Sequence, residues 1–566
     1  MFSFVIHKSA TIMMKLSTLD WIIFIAYAIG ILALGLWVSR NKKGKQRNAA
    51  DYFLAGKSLP WWAIGASLIA ANISAEQFIG ISGSSFAIGI AMASYEWMAA
   101  ITLIIVGKFF IPVFIKQGLY SIPEFIEKRY SSNLRSILAL FWIGVFVFVN
   151  LTSVLYLGSK ALDTIIGTGD GSLVVISIIG LALFAAAYSL WGGLSAVAWT
   201  DVVQVTLLII GGFITTGIAL FKLSGDVGVF HGFHVLKDSL SPEKLSMILS
   251  KGSNIMPDGR DAYFDLPGLS VLLGGLWIGN LYYWGFNQYI IQRALGAKSL
   301  REAQRGIAFA AGLKMILPFL VVLPGIIAFA MYSNNMFGAS EVFSTAGGGL
   351  DNDRAYPWLI SQFIPVGFKG AVLVALTAAI VSSLASMLNS TATIFTMDIY
   401  KPYFNKNASD KNTVFVARIA VIVALLTACV IAPMLGNLGQ AFQYIQEYTG
   451  IVTPGILSIY LLGLLWKKTT NNAAIWGAIL SIVFALTFKI GCNYGILTPI
   501  PWMRQIEFTF ILTVLTIILI SLVEGKGKDY QKAVQFSKGL FKTDPVFNIS
   551  ALAILIILTI IYIVFR

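Results

Sequence analysis

The chain has 566 residues, 57% of them hydrophobic and 12% charged, with a formal net charge of +14. Soluble domains carry about 25% charged residues, so the composition excludes a soluble fold of this length. The positive charge sits in short loops between apolar runs and not in one patch, which argues against nucleic acid as a partner.

A helix needs about 20 consecutive apolar residues to cross the hydrocarbon, and the sequence holds about fourteen such runs. In chain order they cover 18–39, 60–81, 86–115, 137–157, 172–190, 201–222, 267–290, 304–332, 367–394, 413–434, 440–465, 472–491, 507–523 and 547–565. A β-barrel would show short alternating segments instead. The expectation is an all-α integral membrane protein of about fourteen transmembrane helices. The first run lacks a small-residue cleavage site and has the length of a retained helix.

Basic residues gather in alternate loops. Arg40, Lys42, Lys43, Lys45, Arg47 and Lys57 follow the first run; Lys116, Lys128, Arg129 and Arg135 follow the third; Arg293, Lys298, Arg301 and Arg305 follow the seventh. Lys401, Lys406 and Lys411, then Lys467 and Lys468, then Lys526, Lys528, Lys532, Lys538 and Lys542 continue the pattern. The positive-inside rule places these loops in the cytoplasm of a cell-membrane protein and both ends outside. The longest polar insertion, about 223–266, falls on the outer side, and no stretch is long enough for a separate soluble domain.

Several runs carry groups that are costly in lipid and mark ion or solute paths. The second contains Asn72, Ser74, Glu76 and Gln77 at mid-span, which suits a broken helix with freed carbonyls lining a wet cavity, or else a polar contact between helices. Glu96, Lys314 and Glu447 lie in or beside other runs, whereas Lys108, Lys222 and Lys489 sit near helix ends and are expected to snorkel. In the seventh run Asn280, Tyr283, Trp284 and Asn287 share one helical face. Amides beside aromatic rings suit a sugar, which stacks its apolar side and hydrogen-bonds its hydroxyls. In the ninth run Ala379, Ser382, Ser383 and Ser386 share a face; such residues serve helix packing, and paired hydroxyls also suit a small hard cation.

The second and seventh runs are five apart and both are interrupted, the pattern of an inverted repeat. One membrane domain over 1–566 is expected, with a leading helix at 18–39, a first repeat at 60–222, a second at 267–465 and C-terminal helices at 472–566. Cys429 and Cys492 give no disulfide framework. His7, His231 and His234 lie outside the runs, and two loop histidines without a third ligand do not make a metal site. A channel would need a continuous polar pore, which bulky Tyr283, Trp284 and Phe442 oppose. An enzyme would need a catalytic constellation; Glu76 and Glu96 are an acid–base pair in principle, but no metal motif, nucleophile elbow or phosphate loop accompanies them.

The segment Tyr188-Ser-Leu-Trp-Gly-Gly-Leu-Ser-Ala196 resembles the signature of the solute:sodium symporter family. Further runs resemble its sodium/sugar cotransporters: Asp51 to Lys57, Ala70 to Gly80, Ser94 to Trp97, Asn280 to Arg293, Ala379 to Tyr400 and Gln440 to Gly450. The resemblance implies a leucine-transporter-like inverted repeat of five plus five helices with flanking helices, and Na⁺-driven uptake by alternating access. Carried over by position, it puts the sugar on Asn72, Glu76, Gln77, Glu96, Asn280, Lys314 and Gln446. Tyr283 becomes the inner gate, with Tyr95, Trp284 and Phe442 packed around it. Sodium falls on the carbonyls of Ala70, Ile73 and Ala379 and the hydroxyls of Ser382 and Ser383. Asp201 falls near the cytoplasmic ion exit, or is simply a helix cap. No carboxylate is expected directly beside the two serines. The implied solute is a hexose such as galactose or glucose, or alternatively an amino acid, vitamin or sialic acid, and no obligate protein partner is implied.

Overall fold

The structure, a computed structural model, describes residues 16–38, 53–167, 171–344, 349–435 and 441–565; the side chains of Leu36, Tyr188, 191–193, Ala441 and Tyr444 are not described. Arg40, Lys42, Lys43, Lys45, Arg47, His7, part of the Asp51 run and the start of the Gln440 run therefore lie outside the described residues. Among the described residues the regular structure is helical, with only isolated bridges between single residues.

Among the described residues ten helices are each long and apolar enough to cross a membrane, and up to twelve if two bent pairs count as one span each. The expected runs at 172–190 and 201–222 fall on one stretch of helical backbone, Val174–Leu223, and that at 440–465 divides into Ala441–Thr449 and Thr453–Leu465. We number the elements used below as α1 (Thr18–Val38), α2 (Trp61–Asn72), α3 (Glu76–Ile88), α4 (Ile90–Lys116), α5 (Val174–Leu223), α6 (Gly275–Phe286), α7 (Gln288–Leu295), α8 (Leu300–Ser333), α9 (Phe368–Phe404), α10 (Ala441–Thr449), α11 (Asn471–Asn493) and α12 (Trp502–Gly525). Helix α9 is buried continuously from Val372 to Ile394. Its alanines and serines let neighbouring backbones approach, which is how helices associate where lipid supplies no hydrophobic contrast.

Helices α2 and α3 meet at 60°. Ile73 between them is extended (φ −76°, ψ 110°), and the next helix restarts through a capping box. The Ser74 hydroxyl accepts from the Glu76 amide at 3.0 Å, while the Gln77 carbonyl oxygen accepts from the Ser74 amide at 2.9 Å. Side chains thus satisfy amides that a helix start orphans. The Ser-x-x-Gln signature at 74–77 encodes this restart. The second bent pair, Ala262–Leu273 and α6, turns by 73° at Gly274; beyond it one extended residue, Asn287 (φ −83°, ψ 123°), separates α6 from α7. That break removes Asn287 from the face it was expected to share with Asn280, Tyr283 and Trp284, because the helical register ends at Phe286.

The basic loops meet at one end of the bundle. Lys532 donates to the Tyr130 carbonyl (3.0 Å), Lys467 to Gln535 (3.2 Å), and Lys116 to Ser537 (3.1 Å). Not all of their cations face solvent, however. Arg129 and Arg293 are fully buried and serve internal contacts.

At the other end the 223–266 insertion folds onto the end of α3. Asn254 donates to the Ile88 carbonyl (2.7 Å), and buried Lys244 donates to the Ala87 carbonyl and lies 4.5 Å from the Phe329 ring centroid. Burial pulls the Lys244 ammonium down from the ordinary 10.5 to about 8, with Asp258 opposing. Between those pH values the released segment binds more protons than the docked one, so docking strengthens as pH rises. Hydrogen exchange over 242–256 should accordingly slow, relative to the intrinsic rate, from pH 7.5 to 9.5. The extra protection should vanish in Lys244→Met; an identical trend in that variant would exclude the lysine as its origin.

Candidate functional site

All the residues expected at the solute site line one cavity of about 100 Å³: Asn72, Glu76, Gln77, Tyr95, Glu96, Asn280, Tyr283, Trp284, Lys314, Phe442 and Gln446. They come from α2, α3, α4, α6, α8 and α10, so the cavity sits where the α2–α3 break faces α6. Lys314, 1% exposed, donates to Glu96 and to the Asn72 carbonyl oxygen, and its ammonium stands 5.0 Å from the Trp284 ring centroid. Asn72 spends its amide on the Tyr283 hydroxyl (3.0 Å), which also accepts from Tyr289 (2.6 Å). Both ends of Asn72 are therefore committed, and its part in this arrangement is to hold Lys314 and Tyr283.

Other groups keep free valences. Gln77 commits its oxygen to the capping box and leaves its amide nitrogen for the cavity. Asn280 donates to the Leu276 carbonyl (3.1 Å) and keeps its oxygen. Glu76 is buried, and its Oε1 has no hydrogen-bond partner among the described residues. Tyr95 packs edge-on against Phe442 (5.0 Å between centroids), and Tyr283 against Trp284 (5.1 Å). The result is a chamber with aromatic surfaces and hydrogen-bonding groups of both kinds, the make-up of a small-molecule site.

Beside it, Ser383 of α9 donates to the carbonyls of Ala71 (3.0 Å) and Ile73 (3.2 Å), the oxygens exposed by the break. Ala70 is buried one turn before the break, and Ala379 is buried one turn before Ser382 and Ser383. Ser382 turns elsewhere. It donates to Asp201 at 2.5 Å, and Ser67 donates to the other Asp201 oxygen at 2.5 Å. Arg293 approaches Asp201 to 3.6 Å and also donates to Ser67 (3.2 Å), Ser386 and the Tyr289 carbonyl. Two expectations are corrected here. A carboxylate does stand directly beside Ser382. Asp201 caps no helix, because it lies inside α5 with its side chain fully buried. Sequence spacing hides this because Asp201 and Ser382 are 181 positions apart.

Of the lysines expected to snorkel, Lys108 is exposed and Lys222 pairs with Asp226 (2.8 Å). Lys489 instead pairs with Glu447, tying α11 to α10. The loop histidines His231 and His234 are exposed, and no cluster of three metal-ligating side chains occurs among the described residues.

A twice-interrupted helical bundle with a central chamber beside a helix break is the architecture of a leucine-transporter-like secondary transporter. A solved Na⁺-coupled sialic acid symporter, in a substrate-bound outward-open state, shares this fold with a TM-score of 0.75 at 23% identity, over 92% of this chain and 99% of that one. The family profile described as Sodium:solute symporter family matches residues 52–481, and the chain belongs to that family, with sodium as the coupling ion. Among curated relatives, a sodium/glucose cotransporter of Vibrio parahaemolyticus is 56% identical over 553 residues, covering 97% of this chain and 98% of that protein. A sodium/myo-inositol cotransporter 2 of Mus musculus is 31% identical over 477 residues, covering 82% and 69%.

Proposed function

We propose that this chain imports a hexose such as galactose or glucose together with Na⁺, by alternating access, and releases the solute chemically unchanged. The observation that carries this reading is the convergence of six helices' polar and aromatic side chains on one chamber beside the α2–α3 break. The relative named a sodium/glucose cotransporter supports the choice of solute. The paired extended residues Ile73 and Asn287 support two repeats, at 60–222 and 267–465. Sodium would take the Ile73 carbonyl and Ser383, with Ala70, Ala379 and Ser382 around it and Asp201 on its way out. The shared end of the basic loops supports a cytoplasmic side there and both ends of the sequence outside, in a cell membrane.

The driving force suffices. One Na⁺ moving with a neutral sugar down about 120 mV yields roughly 2.8 kcal/mol, and a tenfold gradient adds about 1.4 kcal/mol. About 4 kcal/mol sustains roughly thousandfold accumulation. Uptake of radiolabelled sugar into proteoliposomes under an imposed Na⁺ gradient, with amino acids, vitamins and sialic acid as competitors, tests the reading. Accumulation under a proton gradient without Na⁺ would refute it. Displacement by a non-sugar alone would replace the hexose with that solute.

Tyr283 should act as the inner gate through its ring, yet its hydroxyl joins Asn72 and Tyr289. Tyr283→Phe should lower affinity about 3- to 10-fold through those lost bonds, while Tyr283→Ala should abolish accumulation by opening the chamber. Equal loss in both would assign the role to the hydroxyl.

A further inference from the structure

The chamber has a wall that the repeat elements do not supply. Trp502, Met503 and Ile506, all in the first turns of α12, line it beside Thr449 and Gly450 at the end of α10. This helix lies beyond both expected repeats. Its start is held firmly. Arg504 donates to Ser270 (2.9 Å) and to the Tyr263 hydroxyl (2.7 Å). Gly275 and Gly450 admit the helix so closely that a methyl group at either would overlap the Met503 carbonyl or the Ile506 side chain. The position of Trp502 is therefore fixed by its surroundings.

Its indole N–H is buried and finds no acceptor among the described residues. A buried donor without a partner is costly and uncommon, and indole N–H groups ordinarily find one when buried. Thr449, which also lines the chamber, donates its hydroxyl proton to the Ile445 carbonyl (2.7 Å), which leaves its oxygen as an acceptor. A ring face, a free donor and a free acceptor are the complement of a sugar C–H face bearing a hydroxyl group.

We propose that α12 supplies a solute-contact and specificity-determining residue, Trp502, whose indole N–H donates to one hydroxyl of the bound sugar. The proposal rests on the reading of the chamber as the sugar site. Trp502→Phe keeps a ring and removes only the donor. Its KM for the transported hexose should rise about 3- to 10-fold, with the maximal rate and the half-saturating Na⁺ concentration unchanged. Uptake of a series of monodeoxy hexoses should show the same rise with all but one; for the analogue lacking the partner hydroxyl, wild type and variant should coincide. An unchanged KM for the parent sugar overturns the proposal. So does an equal penalty on every analogue, which would assign Trp502 to packing. Trp502→Tyr, which restores a ring-borne donor, should recover part of the affinity; if it behaves as the phenylalanine variant across the series while that variant shows no analogue dependence, the contact does not exist. Failure of the chamber reading is separately visible, because Asn280→Ala would then also leave sugar KM unaltered.

Discussion

Replacing Lys314 by methionine will abolish sugar accumulation while the protein still inserts. Lys314 lies within α8, 1% exposed, and its ammonium is the shared donor to Glu96 and Asn72. Methionine preserves the length of the stem and removes the charge. Glu96, itself 3% exposed, is then left as a carboxylate without its counter-ion. Breaking one side of a buried pair costs about 3–5 kcal/mol, or roughly 150- to 5,000-fold in the population of the competent chamber. Asn72 also loses the contact that orients it toward Tyr283, so the Tyr283 ring loosens with the site. The double variant Lys314→Met/Glu96→Gln should regain folded yield, since no uncompensated charge remains, but not transport. Normal sugar KM in Lys314→Met, or normal transport in the double variant, would reduce the pair to a structural tie.

The second large effect is expected at Asp201. Its two oxygens accept from Ser67 and Ser382, and Arg293 stands 3.6 Å away, all of them fully buried. The substitution Asp201→Asn keeps the shape, but an amide nitrogen replaces one oxygen and faces a serine hydroxyl that must reverse its bond. Arg293 meanwhile loses its neutralising partner in a low-dielectric interior, a cost of about 3–5 kcal/mol. Because Ser382 is one position from Ser383, the disturbance reaches the oxygens assigned to Na⁺. Asp201→Asn should raise half-saturating Na⁺ at least tenfold and lower folded yield, with the order of sugar preference unchanged. Ser383→Ala should raise the Na⁺ requirement without loss of folded yield, since it removes one oxygen and no charge. Wild-type Na⁺ dependence in Asp201→Asn would confine Asp201 to a structural role.

The polar residues of the chamber were legible before the fold because their chemistry is wrong for lipid. Asn72, Glu76, Gln77, Glu96 and Lys314 stand out in apolar runs, and the family resemblance assigned them together with Tyr283 and Gln446. Apolar length likewise placed the helices, since crossing the hydrocarbon demands a fixed number of residues. The run count was less secure, because α5 carries two expected runs on one stretch of helical backbone.

What the linear order hid were partnerships between distant positions. A basic residue beside an apolar run reads as a loop cation, yet Arg293 is buried against Asp201, and Lys489 pairs with Glu447. Asn287 reads as part of a helical face until the backbone turns extended beneath it. Local sequence by itself determined which segments are apolar enough to enter a membrane and which side chains cannot face lipid, because both follow from transfer energies that belong to each residue. Only the tertiary structure decided which buried charge neutralises which, that Ser382 binds a carboxylate while Ser383 binds the broken backbone, and that α12 closes the chamber. Those outcomes depend on distances of a few ångströms between residues hundreds of positions apart, where pairing energies are large and the sequence carries no record of proximity.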